Sequence, residues 1–369
     1  MIKTGERINL PHRSARRTPG WRWSPDGRSI LVAQTHEGRV QLYLYTLETA
    51  SLSRIKHPAG VVDDAWFRPD GKLWINRSDA ATRNQVLEID PGTGESRVLL
   101  GSENVPPGTR LESVSFTGAR GDRIQGYLGL PPGKPPFPAV LHVHGGPASQ
   151  VMDRWMPLLQ AWIDAGFALL SLNYHGSTGF GREFEDCIKG DLMNLELADY
   201  AAARQYLVER GIADPDKVVI TGASYGGFST LSALTRQPEL WACGVGSIVI
   251  GDLALMYEDA SAPLQGWCLV YTGGRPEEKP EIYRERSPIT HVAHMRAPLL
   301  ILQGKNDSRT PARQCEKFVE AARAAGKDVT LVWFEEGHGT LGIEQAIENA
   351  RRSVEFARRA VGLAAAGQS

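Results

Sequence analysis

The sequence lacks a long apolar run, a cysteine framework and a net charge, and each absence excludes a class of protein. No stretch of about 18 apolar residues is present, so we expect no transmembrane helix and no membrane partner. A net charge of −1 gives no reason to expect nucleic acid as a partner. Cys187, Cys243, Cys268 and Cys315 have no CxxC spacing, which indicates reduced thiols in a cytoplasmic protein.

The N-terminal segment has no apolar core of the kind found in a signal peptide. Residues 1–17 carry Arg13, Arg16 and Arg17, a basic composition that also occurs in targeting tails. Because no apolar stretch follows them, the sequence favours a solvated tail. This interpretation agrees with a cytoplasmic location.

The sequence divides into two parts, residues 1–105 and 106–369, which differ in the spacing of their apolar residues. Residues 20 to about 130 contain short alternating apolar runs typical of strands. Two Pro-Asp-Gly turns, at 25–27 and 69–71, lie 44 residues apart, which is the length of one four-stranded propeller blade. A closed propeller needs at least about four blades. The first part therefore predicts about two blades with an open edge, or a small β-sheet cap whose turns coincide by chance.

An incomplete set of blades leaves edge strands and apolar surface uncovered. The tryptophans of the first part, Trp21, Trp23, Trp66 and Trp74, are candidates for that surface. We expect this surface to pack on the second part or to pair with another copy of the chain, and we therefore expect a homo-oligomer.

The second part alternates apolar β-rich runs with segments suited to helices. Residues 106–107 and 131–136 are proline-rich and are natural joints between the two parts. Strands that are apolar throughout and alternate with helices predict a mostly parallel sheet with helices on both faces, an α/β fold. The six runs are FPAVLHVHG, FALLSLNY, KVVITG, GVGSIVI, PLLILQG and DVTLVWFEE.

Three residues at the ends of these runs suit nucleophilic acyl transfer. Ser224 lies in Gly222-x-Ser224-x-Gly226, which is the pattern of a nucleophile elbow but also of a plain glycine-rich turn. Asp307 follows the run PLLILQG, and His338 follows the last run. The chain order Ser, Asp, His is the order of α/β-hydrolases, and all three residues fall at the edge of the sheet where catalytic groups gather. The sequence therefore predicts a Ser224-His338-Asp307 triad.

Acyl transfer also needs N–H donors for the oxyanion of the tetrahedral intermediate. The N–H of Tyr225, directly after the nucleophile, is one candidate. The glycines Gly145 and Gly146 of LHVHGGPAS allow a second backbone N–H to face a ligand. His142 and His144 on the same strand suggest a metal pair, but no third ligand follows at useful spacing, so we expect no metal.

With these residues assembled, the second part resembles the catalytic domain of the prolyl oligopeptidase family, and within it the acylaminoacyl peptidases. The resemblance covers about 240 residues, and the first part resembles the β-propeller that gates such enzymes. The motifs that carry it are HGGP (144–147), NYHGSTGFGREF (173–184), GIADPDKVVITGASYGGF (211–228), YRERSPITHV (283–292), NDSRTP (306–311) and EEGHG (335–339).

The resemblance implies an α/β-hydrolase fold and no cofactor. It also implies that Tyr225 and Gly146 are the oxyanion donors, and it points to further site residues. Arg309 falls where the family places an arginine that holds a substrate carbonyl, although a salt bridge within its own loop is the alternative. Phe228, Tyr257 and Trp267 are candidates to line the substrate pocket, with a place in the core as the alternative. His144 stands where several members carry a tyrosine that donates to the oxyanion, so a backbone donor must serve here.

These observations predict a serine hydrolase that acts through an acyl-enzyme on short acyl-peptides or amino-acid amides. A carboxylesterase acting on small esters is the first alternative, because the triad does not fix the leaving group. A non-hydrolytic scaffold or a biosynthetic enzyme on the same fold is the other. The dipeptidyl peptidase activity is disfavoured, since no acidic pair for a free amine is identifiable.

Overall fold

A computed structural model describes residues 22–102 and 105–363, which fall into two compact units. The first, here the β unit, runs up to Gly108 and also includes Met152–Trp155 and Thr178–Gly181. The second, the α/β unit, comprises Thr109–Val151, Met156–Ser177 and the chain from Arg182 onward. Trp21 lies outside the described residues.

The β unit contains two four-stranded antiparallel sheets, which confirms the predicted small all-β, propeller-like part. The first sheet has the order β1-β2-β3-β4 and the second the order β5-β6-β7-β8. Both Pro-Asp-Gly turns end in glycines with positive φ, 68° at Gly27 and 86° at Gly71, and they join equivalent strands. The strands are β1 (Arg22–Trp23), β2 (Ser29–His36), β3 (Arg39–Thr46), β4 (Ser51–Arg54), β5 (Val61–Phe67), β6 (Leu73–Ser78), β7 (Gln85–Ile89) and β8 (Ser96–Leu100).

The two sheets of the β unit share one apolar core. Leu42 from the first sheet and Ala65 and Ile75 from the second are fully buried in it. Trp66 and Trp74 are half-buried and pack edge to face, with ring centroids 6.3 Å apart, so they are covered more than the sequence suggested. Trp23 is exposed.

The segment Met152–Trp155 is held within the β unit by polar contacts. The amide of Asp153 donates to the carbonyl of Gly38 at 2.9 Å. Its buried carboxylate accepts from Arg39 Nε at 2.8 Å and from the amide of Ala80 at 3.1 Å. Arg83 lies over the Trp155 ring, 4.2 Å from its centroid. A stretch from the second part of the sequence thus folds as part of the β unit.

The α/β unit contains one eight-stranded sheet in the order β16-β15-β14-β13-β11-β12-β10-β9. All six predicted runs form its parallel strands, which confirms the α/β-hydrolase architecture. The strands are β9 (Glu112–Thr117), β10 (Arg123–Gly129), β11 (Phe137–Val143), β12 (Ala168–Asn173), β13 (Ala213–Ala223), β14 (Cys243–Ser247), β15 (Leu299–Gly304) and β16 (Val329–Phe334).

The antiparallel edge of this sheet comes from the start of the second part, where the sequence still reads as short alternating strands. Strands β9 and β10 form a hairpin, and β10 pairs antiparallel with β12. The proline-rich segment at 131–136 therefore connects two strands of the same sheet and lies within the α/β unit. Every residue of β12 is buried, as expected for a strand covered on both faces.

The helices cover both faces of the sheet. None of the helices in the described ranges is long and apolar enough to span a bilayer. The helices are α1 (Pro157–Asp164), α2 (Arg182–Asp186), α3 (Leu195–Glu209), α4 (Tyr225–Arg236), α5 (Leu253–Asp259), α6 (Ala262–Thr272), α7 (Pro280–Arg286), α8 (Ala312–Ala324) and α9 (Ile343–Ala360), with a 3₁₀-helix at Pro288–His294.

The order of the strands fixes where a ligand can bind. Strand β11 lies between β12 and β13, so the chain leaves it in one direction and later returns on its other side. Such a reversal opens a crevice outside the carboxyl ends of the strands. Val143 of β11 pairs with Gly222 of β13, which brings the segments after these two residues together in that crevice.

Candidate active site

Ser224 lies on a strained turn between β13 and α4. Its backbone angles are φ 60° and ψ −119°, a conformation that residues other than glycine rarely adopt. Its amide donates to the carbonyl of Ser247 at 3.0 Å, which holds the turn against β14. A Cβ on Gly222 or Gly226 would collide with the carbonyl oxygen of Val143. The glycines are therefore required for β13 and α4 to approach β11 this closely.

Ser224, His338 and Asp307 form a continuous hydrogen-bonded chain. Ser224 Oγ lies 3.0 Å from His338 Nε2. His338 Nδ1 lies 2.9 Å from Asp307 Oδ2 and 3.0 Å from Oδ1. A carboxylate only accepts, so Nδ1 carries the proton and Nε2 is free to accept the proton of the serine hydroxyl. This is the geometry that base-assisted attack by serine requires.

Asp307 is held in its ionised form by several donors. Its carboxylate is fully buried and accepts from the amides of Arg309 and Thr310, at 2.8 and 2.9 Å, and from the Thr310 hydroxyl at 2.7 Å. Burial alone would raise the pKa of Asp307, but the hydrogen bonds from His338 and Thr310 outweigh it and hold that pKa below its usual value. The sequence placed Asp307 but did not identify Thr310 as its partner, although both lie in NDSRTP.

The two residues predicted to donate to the oxyanion, Tyr225 and Gly146, both lie beside Ser224. Tyr225 is the first residue of α4, so its N–H has no acceptor within the helix. Gly146 adopts φ 134°, and a Cβ there would lie 2.9 Å from the amide nitrogen of Ala148. Both residues line the same cleft as Ser224. A Cβ on Gly145 would lie 3.5 Å from the Ser224 Cβ, so the glycine pair borders the nucleophile directly.

His142, half-buried on β11, and His144, buried in the loop that follows, are both neutral. Burial lowers the pKa of each to about 4. His144 Nδ1 donates to the carbonyl of Gly145 at 2.8 Å, and its Nε2 lies 2.8 Å from Ser177 Oγ. Its ring stacks on Tyr174, with centroids 4.4 Å apart. Both ring nitrogens are thus engaged away from Ser224, which leaves the oxyanion to backbone donors.

An open cleft of about 330 Å³ lies beside Ser224 and is lined by both apolar and polar residues. Trp267 lines it, as expected, and so does Arg309 at its polar side. Arg309 is exposed and makes no salt bridge with any described residue, which is unlike a loop tether. The apolar residues of the lining are Ile250, Met256, Leu264 and Trp267.

Two aromatic residues expected in the pocket do not line this cleft. Phe228 is fully buried in the core and packs edge to face on Tyr225, with centroids 5.6 Å apart. Its place three residues into α4 turns it toward the sheet, so the pocket expectation is corrected. Tyr257 is half-buried and packs on Tyr283, with centroids 6.1 Å apart. Met256, its neighbour on α5, reaches the cleft instead.

The sequence profile of the prolyl oligopeptidase family matches residues 155–364. A dipeptidyl aminopeptidase BIII from Pseudoxanthomonas mexicana is 35% identical over 291 residues, which is 73% of this chain and 42% of that protein. The acylamino-acid-releasing enzyme of Homo sapiens is 23% identical over 92% of this chain and 50% of its own length. The chain thus spans about half the length of these relatives.

Solved structures share the fold of both units. A puromycin-hydrolysing peptidase from Mycobacterium tuberculosis superposes with a TM-score of 0.86 at 25% identity, over 95% of this chain and 54% of that one. The acylaminoacyl peptidase of Pyrococcus horikoshii superposes with a TM-score of 0.80 at 22% identity, over 92% of this chain and 55% of its own.

Proposed function

Because the chain belongs to the prolyl oligopeptidase family, we propose that it is a serine hydrolase that works through an acyl-enzyme. The observation that carries the proposal is the hydrogen-bonded chain from Asp307 through His338 to Ser224. In it, Ser224 is the nucleophile, His338 the general base and Asp307 the residue that orients the base. No step needs a metal or an organic cofactor.

The proposed reaction has two halves that use the same groups. His338 Nε2 takes the proton of Ser224 as Oγ attacks the acyl carbon, and the N–H groups of Tyr225 and Gly146 bind the resulting oxyanion. His338 then gives the proton to the leaving group, whose bond to the acyl carbon breaks. A water molecule then attacks the acyl carbon of the acyl-enzyme while His338 takes its proton. The bond to Ser224 Oγ breaks, and His338 returns the proton to Oγ. Each oxyanion donor contributes about 10²- to 10³-fold in rate.

The favoured substrates are short acyl-peptides or amino-acid amides. The apolar lining of the cleft suits an apolar side chain next to the bond that is cut. Arg309 at the polar side offers guanidinium donors to a carbonyl on the acyl side, which an acyl-peptide has and a simple ester lacks. Names of relatives such as acylamino-acid-releasing enzyme agree with this class.

A carboxylesterase on small esters is the second candidate. The described β unit contributes two four-stranded sheets, and two sheets cannot close a propeller ring over a site. A site without such a closed ring would not select peptides over small esters. The triad serves both reactions, because it fixes the acyl transfer and not the leaving group.

The test compares an acetyl-amino-acid anilide with a nitrophenyl ester of the same acyl group, with Ser224→Ala as blank. We expect hydrolysis of both, loss of both in Ser224→Ala by at least about 10³-fold, and labelling of wild-type Ser224 by a fluorophosphonate. Hydrolysis of the ester without hydrolysis of the anilide would contradict the peptidase proposal and support the carboxylesterase. Labelling that persists in Ser224→Ala would refute Ser224 as the nucleophile.

We further propose that the protein acts in the cytoplasm as a homo-oligomer on small-molecule or short peptide substrates. The four thiols, all free, suit a reducing compartment. Subcellular fractionation of the native host tests the location. Recovery outside the cytoplasmic fraction would contradict it.

A further inference from the structure

Glu196 is a buried carboxyl near the nucleophile turn that the proposed reaction does not use. It is the second residue of α3, and its side chain is fully buried. Its Oε1 accepts a hydrogen bond of 2.6 Å from the hydroxyl of Tyr225. Its Oε2 is also buried and has no hydrogen-bond partner among the described residues. Backbone hydrogen bonds involving Met193 and Glu196 itself also favour the carboxylate, but burial still disfavours its charge. A fully buried carboxyl of this kind costs stability, so its presence calls for a function.

A second hydrogen-bonded link joins α3 and α4 one turn further from Ser224. Tyr200 Oη donates to Ser229 Oγ at 2.9 Å, and Ser229 Oγ donates to the carbonyl of Tyr225 at 2.9 Å. Tyr200 follows Glu196 by four residues, and Ser229 follows Tyr225 by four. The two links therefore lie one above the other on the facing sides of the two helices.

Tyr225 connects the Glu196 link to the reacting centre in two ways. Its backbone N–H is the proposed oxyanion donor, and that donor works only when it lies within about 2.7–3.1 Å of the oxyanion. Its ring packs edge to face on Trp267, with centroids 5.9 Å apart, and both residues line the cleft. A displaced Tyr225 ring would move the donor and one wall of the cleft together.

We propose that Glu196 is a positioning residue for acyl transfer, an inference that rests on the proposed function. By accepting the hydrogen bond of the Tyr225 hydroxyl, Glu196 fixes the first turn of α4 relative to Ser224. Glu196 contacts neither substrate nor nucleophile, so it acts through Tyr225. The neighbouring Tyr200–Ser229 link stabilises the same helix pair without holding the ring of Tyr225.

The ionisation of the two groups fits this assignment. Burial raises the pKa of Glu196 to about 7, and the hydrogen bond from Tyr225 opposes part of that rise. Burial also raises the pKa of Tyr225 well above 10, so the phenol keeps its proton and remains the donor.

A double-mutant cycle tests the proposal. Tyr225→Phe removes the hydroxyl, Glu196→Leu removes the acceptor, and Glu196→Gln keeps an oxygen acceptor. We expect the first two each to lower kcat and the rate of Ser224 phosphonylation by about 10- to 100-fold, with KM within about twofold of wild type. Glu196→Gln should stay within about threefold, and Glu196→Leu combined with Tyr225→Phe should lose no more than either alone.

Tyr200→Phe is the matched control, because it breaks the parallel link. It should lower the unfolding temperature as Tyr225→Phe does, with kcat within about twofold of wild type. An equal loss of kcat in Tyr200→Phe, or additive losses in the double variant, would overturn the assignment. If Glu196→Leu does not fold, the two tyrosine variants decide. Wild-type protein that a fluorophosphonate fails to label would refute the proposed function itself, whereas labelling undiminished in the variants refutes only Glu196.

Discussion

At the scale of single residues, the backbone conformation of Gly146 restricts that position to glycine. Its φ of 134° lies where side chains are strained, and the space beside it is already filled by Ala148 and Ser149. A side chain there would displace the backbone of a residue that lines the cleft beside Ser224. Gly166 has a similar φ of 92° but open space around it. Alanine variants at the two positions therefore distinguish the cost of backbone strain from the loss of an oxyanion donor.

Gly146→Ala should lower kcat by at least about 10²-fold, because it displaces one of two oxyanion donors. Gly166→Ala should destabilise the fold by about 1 kcal/mol and leave kcat unchanged. Steady-state kinetics and chemical denaturation of both variants provide the measurement. Equal kcat in Gly146→Ala and wild type would remove Gly146 from the oxyanion site.

The sequence identified the residues whose chemistry is rare and missed those whose role is shape. Ser224, Asp307 and His338 carry reactive groups at strand ends, and the structure brings them within hydrogen-bond distance. Met256 and Leu264 are ordinary apolar residues, and only the fold of α5 and α6 turns them toward the cleft. Phe228 shows the converse, since an aromatic residue near the nucleophile belongs to the core.

At the scale of elements, His175 ties three separate pieces of the α/β unit together. It follows β12, and its Nδ1 lies 2.7 Å from Asp199 of α3 while its Nε2 lies 2.9 Å from Asp122 at the start of β10. Its ring stacks on Phe184 of α2, with centroids 4.7 Å apart. Burial alone would lower the pKa of His175, but hydrogen bonds to Asp199 and Asp122 raise it above 6.5.

His175→Gln should therefore destabilise the protein in a pH-dependent way. The raised pKa means that the stabilisation is complete below pH 6.5 and is lost as the pH rises through the folded-state value. The hydrogen bond from His175 lowers the pKa of Asp122. The contribution of Asp122 to stability is therefore lost as the pH falls from about 3.8 through its lowered folded-state pKa. Denaturant unfolding at pH 5, 7 and 9 should show a difference of about 1.5–3 kcal/mol at pH 5 that shrinks with rising pH. A difference that does not vary with pH would contradict this role.

The strands were predictable and several helices were not, for a physical reason. Strands β11 to β16 each contain a largely apolar run because most of the sheet is covered on both faces, and such runs stand out in a sequence. Helices α5 and α7 each have seven residues, too short for a clear helical period. Their ends are set by packing and by caps such as Asp252, which accepts from the amides of Ala254 and Leu255.

At the scale of the whole molecule, the outer edge of the second sheet is open. Val98 and Leu100 of β8 are 51% and 68% exposed, and all four residues of β4 at the edge of the first sheet are exposed. An apolar edge strand with unpaired backbone groups is a template for another chain. This is the feature of the described residues that best supports the expected homo-oligomer.

Leu100→Lys should weaken self-association, since a charge on the edge opposes pairing. Sedimentation velocity over a range of concentrations should give a dimer or larger species for wild type and a shift toward monomer, by at least tenfold in Kd, for the variant. Leu130→Lys, a change of an exposed leucine in the α/β unit, is the control and should sediment as wild type. A wild-type monomer at every concentration would refute the homo-oligomer.

The interleaving of the two units limits how this protein can be taken apart or exchanged in evolution. The backbone passes from one unit to the other five times, at 108/109, 151/152, 155/156, 177/178 and 181/182. A single cut after Gly108 would remove Asp153 from its partners Arg39 and Ala80. The β unit is therefore not a detachable module. Recombination that replaced it would have to replace two loops of its neighbour at the same time, so the two units are expected to be inherited together.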